Sequence, residues 1–355
     1  MSILKFVSVI LFSFSLIGAG QNVNQTETLL IEKHLFEQVD LLPIKLKYSR
    51  KNLKNETNDS TFMDSELAYK RADGSWKSIH LKIRARGNFR KKNCYFTPLK
   101  LKIKKKEARE SIFKGQKKLK LVLPCLNQTS KDDNVIKEYM IYKMYEVISP
   151  YYFSTRLVDI EYEDLKTRKS QLHQLKGVLI EDDETVAKRI EGKVSKRKFS
   201  PEGYDYLAAV RNAMFQFMVG NTDYSITIQH NTKAVFVDKK FIPVAYDFDM
   251  AGFVNTSYSV VSQTRKEKLP IEEVTERYYM GYQRDYKLFE QVRQEFITHK
   301  EDLLTLINAH ESYFDNKGSF ANARKYIQDF FRILANEVAF KKATYDRALK
   351  FKSTP

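Results

Sequence analysis

The sequence predicts an α+β chain in which a smaller sheet-rich part, about residues 40–180, precedes a helical part, about residues 183–350. Three observations predict it. Period-two runs of apolar and charged residues, punctuated by a hairpin signal, fill the first half. Apolar residues at helical spacing fill the second. A content of 43% apolar and 13% aromatic residues is enough for a sizeable core.

The chain opens on an export signal. Lys5 supplies the positive end, residues 6–17 are apolar or serine, and Gly18 and Gly20 offer small residues for cleavage before Gln21. That run is shorter than the ~20 residues a bilayer span needs, and no other span is visible. The mature chain is therefore expected to be secreted, or held in the cell envelope or periplasm, with no transmembrane anchor after cleavage. It divides into a polar segment at 21–60, with a strand over 41–48 and a loop over 51–60, then parts at 61–182 and 183–355. Sequons stand at Asn24, Asn55, Asn58, Asn127 and Asn255.

The net charge of +17 suits an anionic partner. Much of the excess lies in residues 82–120, where lysines alternate with apolar residues as on a solvated sheet face. That distribution, together with export, argues against a nucleic-acid partner; an anionic surface, an acidic substrate or a nucleotide's phosphates fit the same field. The two cysteines, Cys94 and Cys125, flank this region and suit an oxidising compartment, so they are expected to pair. The six histidines show no metal-binding spacing.

Strands are expected over 65–71 and 76–84, joined at Asp73-Gly74. Arg84-Ala85-Arg86-Gly87-Asn88 then reads as a basic loop able to approach phosphate, or equally as a surface turn. In 99–104, Leu99, Leu101 and Ile103 face one way and Lys100, Lys102 and Lys104 the other. Asp132-Asp133-Asn134 caps a helix to about 148 whose apolar face carries Ile136, Met140, Met144 and Val147, with Glu138 beside it. Strands over 155–162 and 175–181 follow, the second ending in Glu181-Asp182-Asp183, then a short helix over 184–190 and a basic linker, 193–198, expected to be mobile.

Ser200 and Pro201 read as the start of a helix with an apolar face of Leu207, Val210, Met214, Phe217 and Met218, closed by Gly220. Asp223 lies on the loop just past it. Strands over 234–237 and 241–246 form a hairpin around Asp238-Lys239-Lys240 and deliver Asp247 and Asp249. Taken alone, Asp223 reads as a turn aspartate. Asp247 and Asp249 sit in an apolar run, where buried carboxylates need a cation or hydrogen bonds. A carboxylate, then Asn231, then a hairpin, then Asp247 is the order of parts that phosphoryl transfer uses: Asp223 to orient a hydroxyl, Asn231 and Asp247 to hold divalent metal. Residues 255–269 are polar and Ser/Thr-rich, in the position of an activation or substrate loop, and 272 onward reads helical with aromatic-rich faces.

Asn221-Thr222-Asp223 after an apolar helix and Asp247-Phe248-Asp249 after a hairpin resemble the spore-coat CotH-type atypical kinases, which are distantly HipA-like. Arg86-Gly87-Asn88, Pro98-Leu99-Lys100-Leu101-Lys102, Glu138-Tyr139 and Gly177-Val178-Leu179-Ile180-Glu181-Asp182 extend the resemblance over roughly residues 76–255. No His-Arg precedes Asp223, Asp249 stands where Asp-Phe-Gly has glycine, and there is no G-x-G-x-x-G loop. The resemblance implies a two-lobed protein-kinase-like fold, with a small sheet-rich N-lobe and a helical C-lobe. It implies ATP with Mg²⁺ or Mn²⁺, and transfer of the γ-phosphoryl group to a protein hydroxyl. It makes Asp223 the catalytic residue, Asn231 and Asp247 metal ligands and Asp249 an accessory acid at the metal. Lys100 paired with Glu138, and Arg86, would meet the phosphates; Glu181 and Asp182 would lie at the adenine hinge. The alternative is a catalytically inactive, pseudokinase-like binding module. A hydrolase built on Asp247 and Asp249 lacks a third acid or histidine at recognisable spacing.

Overall fold

The structure, a computed structural model, describes residues 33–351 apart from 129, 167–168, 199 and 263–267. The export signal at 1–20 and the sequon at Asn24 lie outside the described residues.

Seven strands close into a barrel: β1 (Leu42–Tyr48), β2 (Met63–Lys70), β3 (Trp76–Ala85), β4 (Leu99–Ile103), β5 (Lys118–Val122), β6 (Thr155–Asp164) and β7 (Gln171–Glu181), in the order β1-β2-β3-β4-β5-β7-β6. All neighbours are antiparallel except β1 and β6, which run parallel from Leu42 opposite Val158 to Tyr48 opposite Asp164 and shut the ring. Leu42, Ile44 and Leu46 on β1 and Ile79, Leu81 and Ile83 on β3 point inward into one apolar core, and the intervening lysines point out.

A second sheet of three strands, β8 (Lys193–Ser195), β9 (Thr232–Val237) and β10 (Lys240–Ala245), runs in the order β10-β9-β8. Asp238 and Lys239 both take positive φ between β9 and β10, the conformation a tight two-residue hairpin requires. Ten helices are present among the described residues. Three are short and decorate the barrel: α1 (Arg50–Glu56), α2 (Asn88–Asn93) and α3 (Lys105–Arg109). The others are α4 (Lys131–Ile148), α5 (Asp183–Arg189), α6 (Tyr206–Val219), α7 (Tyr286–Thr298), α8 (Lys300–Asn308), α9 (Lys317–Ala335) and α10 (Glu337–Ala343). The second core is built chiefly from α4, α6, α7, α8, α9 and the β9–β10 hairpin, with Met140, Met144, Phe215, Met218, Phe248 and Phe330 fully buried.

This arrangement overturns the expected two-lobed protein-kinase-like fold. The sheet-rich half is not a small lobe but a closed seven-stranded mixed barrel, accompanied by ten helices and a separate small sheet. The two strands that make the difference are β1 and β5. The first closes the ring by a parallel pairing that no local pattern reveals, and the second reads in sequence as more of the lysine-rich run. Segment 193–198, expected to be a mobile linker, contributes β8, which pairs with β9. The helix expected from Ser200 begins later. Ser200 caps a single 3₁₀ turn, Pro201–Gly203, and α6 starts after Asp205, whose carboxylate accepts the Ala208 N–H. Among the described residues no helix is long and apolar enough to cross a membrane.

Candidate functional site

Four segments converge on one cleft of about 330 Å³: the turn from Arg86 to Arg90 leaving β3, the loop after α6 with Asp223, residues 229–233 entering β9, and Tyr246 to Met250 leaving β10. Asp223, Asn231, Asp247, Asp249 and Arg86, all singled out in sequence, line it.

Asp223 is held by the end of α6. Gly220 closes that helix at φ +66, and a Cβ there would stand 2.0 Å from the Tyr326 hydroxyl, so the turn needs glycine. Asn221 donates to the buried Gln216 side chain (2.9 Å) and accepts the Asp223 N–H (2.9 Å). Both oxygens of the Asp223 carboxylate are then held. Oδ2 accepts from Asn231 Nδ2 (2.9 Å), and Oδ1 accepts from Ser262 Oγ (3.0 Å) and lies 3.2 Å from His230 Nε2. That hydrogen bond, with the charges of Asp223 and Asp247, raises the His230 pKa against the effect of burial. Asn231 Nδ2 also donates to the Asp223 carbonyl (2.6 Å), so both of these bonds use its amide nitrogen and neither uses its oxygen.

Asp247 leaves β10 at φ +65, left-handed for a residue other than glycine, with its N–H donated to Tyr142 Oη (2.9 Å). Burial pushes its carboxyl up, but Arg90 and Arg86 outweigh burial and hold it below the usual range, hence ionised. Asp249 differs. Arg90 Nε donates to its Oδ2 (2.7 Å) and the Tyr258 hydroxyl also reaches it (3.3 Å), yet burial and the neighbouring Asp247 charge leave its pKa raised.

Arg90 also spans to Glu138 on α4 (2.9 Å). Glu138 is 2% exposed, its Oε1 has no partner, and burial lifts its pKa to about 7 despite the arginine. The expected pair of Lys100 with Glu138 is therefore not formed: Lys100 pairs with Asp182, and Arg90 takes the glutamate. Cys94 at the end of α2 and Cys125 form the expected disulfide, which ties the Arg90 helix to the segment leading into α4. Glu181 faces away from the cleft, accepting from Arg189 (2.9 Å) and the Ser154 N–H (3.1 Å).

A cationic group adjoins the cleft around Tyr246. Arg86 donates to its hydroxyl (3.0 Å), and Lys120 and Lys233 lie 4.5 and 5.1 Å from its ring. Lys120 is 4% exposed; burial draws its pKa down to about 8, opposed by Asp183, to which it is paired. Arg90, Lys120, Lys233, His230 and Ser262 were not singled out in sequence. Arg90 alone left a signal, one helical turn beyond Arg86 in the same basic run.

Among the described residues no three His, Cys, Asp or Glu side chains stand close enough together to hold a metal ion. Asp247 and Asn231, which both line the cleft, carry oxygen donors of the kind a hard cation takes, and any such ion would need its remaining ligands from phosphate and water. Asp249 fits less well, because Arg90 already compensates its charge. No protein-family model matches this chain, and no curated protein matches it significantly.

Proposed function

We propose that this cleft transfers the γ-phosphoryl group of ATP to a protein hydroxyl, in an exported protein. The observation that carries the reading is that Asp223, Asn231 and Asp247, from three separate segments, line the same cleft as Arg86 and Lys233. The order of these motifs, which resembles that of CotH-type kinases, supports the same chemistry, and the disulfide supports the exported setting.

In this reading Arg86 and Lys233 draw the polyphosphate into the cleft, with the buried Lys120 adding to the field. Asn231 and Asp247 would hold Mg²⁺ or Mn²⁺, which supplies charge neutralisation on the phosphates when bound. Asp223 orients the acceptor hydroxyl and takes its proton as the new P–O bond forms and the β–γ bridging oxygen leaves with the nucleoside diphosphate. Arg90, pinned between Glu138 and Asp249, keeps Asp247 ionised.

A second reading, a nucleotide-binding module without transfer, is favoured by Arg90 itself, since it occupies Asp249 and leaves Asp247 alone of that pair of acids to meet a metal. Thermal unfolding with ATP and Mg²⁺ or Mn²⁺, followed by a transfer assay, separates the two. At ~100 times the dissociation constant, binding stabilises the fold by ~2.7 kcal/mol. Wild-type protein is expected to show that metal-dependent shift and Asp247→Asn to lose it while still unfolding cooperatively. Equal shifts in both proteins remove Asp247 as a ligand; a shift with no transfer to any acceptor favours the binding module.

A further inference from the structure

The segment after Asp249 turns back over the acids it follows and sets hydroxyl groups on them. Tyr258 reaches Asp249 Oδ2 (3.3 Å), and the hydroxyls of Thr256 and Ser259 each approach the Asp249 carbonyl (3.4 Å). Ser262 goes further: its Oγ donates to Asp223 Oδ1 at 3.0 Å, and the residue is only 8% exposed. A serine hydroxyl hydrogen-bonded to a carboxylate of the cleft is the ground-state arrangement of an acceptor and its general base. His230 Nε2 lies 3.2 Å from the same oxygen and so helps to fix the carboxylate that Ser262 meets.

We infer that Ser262 is an acceptor for the protein's own transfer reaction, a phosphorylation site modified within one molecule. The inference rests on the proposed function, since it needs a nucleoside triphosphate as donor and Asp223 as base. In the step, Ser262 Oγ bonds to the γ-phosphorus, its proton passes to Asp223 Oδ1, and the bond from the γ-phosphorus to the β–γ bridging oxygen breaks to release nucleoside diphosphate. A purely structural Ser262, one that only steadies Asp223, would make the same hydrogen bond but would never acquire phosphate.

The experiment incubates the mature protein with ATP and Mg²⁺ or Mn²⁺ and maps phosphate by peptide mass spectrometry over time. The expected result is phosphate on Ser262, at a rate independent of protein concentration. Ser262→Ala should lose that site and Ser262→Thr should carry phosphate at the same position. Asp223→Asn should slow its appearance by ~10²–10⁴-fold. Phosphate on other residues or on an added acceptor, with Ser262 unmodified, overturns this inference and leaves the proposed function standing. A rate that rises with protein concentration overturns the intramolecular step. No transfer to any hydroxyl overturns both, and metal-dependent ATP binding in the same sample then marks a binding module.

Discussion

Arg90 joins two carboxylates that would otherwise repel each other across a buried gap. Its guanidinium meets Asp249 at 2.7 Å and Glu138 at 2.9 Å, and all three side chains are nearly inaccessible. The compensation is incomplete, because burial and the charges of Asp249 and Asp247 still raise Glu138 to about 7. A carboxyl whose pKa rises on folding contributes stability that is fully present below its unfolded value near 4.5 and is lost as pH climbs through the folded value. Wild-type protein should therefore lose stability relative to Glu138→Gln between pH 4.5 and about 7, and the difference should be flat above that window. Melting temperatures of the two proteins across that range check it, and a difference that does not change with pH would contradict it.

At the scale of elements, the inward and outward alternation of β3 and β4 was legible because their side chains are buried on one face only. The partner of Lys100 was not. On the barrel wall Lys100 sits between Arg84 and Lys120, three cations in adjacent registers. The acids that offset them, Asp182 and Asp183, come from the far end of β7, where α5 begins. Glu138 is thereby left to Arg90, which arrives on α2, a six-residue helix with no sequence pattern of its own. What anchors that helix is the Cys94–Cys125 disulfide, which closes a sequence separation of 31 residues. Its loss should cost ~3.7 kcal/mol on the loop-entropy description. Because α2 carries Arg90, Cys94→Ser with Cys125→Ser should also weaken ATP binding, measured by titration at a temperature where the variant is folded. Unchanged affinity in a folded variant would show that the Arg90 clamp does not depend on the bridge.

Over the whole molecule, the described residues form one compact unit, and the cleft draws on both of its cores. Arg86 and Arg90 leave the barrel, while Asp223, Asn231 and Asp247 are set by α6 and the β9–β10 hairpin. The second set was readable as motifs because each residue follows directly from an element the sequence announces: Asp223 from the Gly220 helix stop, Asp247 from the hairpin exit. Barrel closure was not, since the parallel β1–β6 pairing joins residues more than a hundred positions apart. The most direct test of a phosphotransferase cleft is one variant read two ways, Asp223→Ala, with ATP affinity measured by titration and phosphoryl transfer by single-turnover kinetics. The predicted result is near wild-type metal-dependent affinity with transfer lowered ~10²–10⁴-fold. The contradicting result is transfer within a few-fold of wild type, or affinity, melting temperature and transfer all falling together by the ~1 kcal/mol that loss of a turn cap costs.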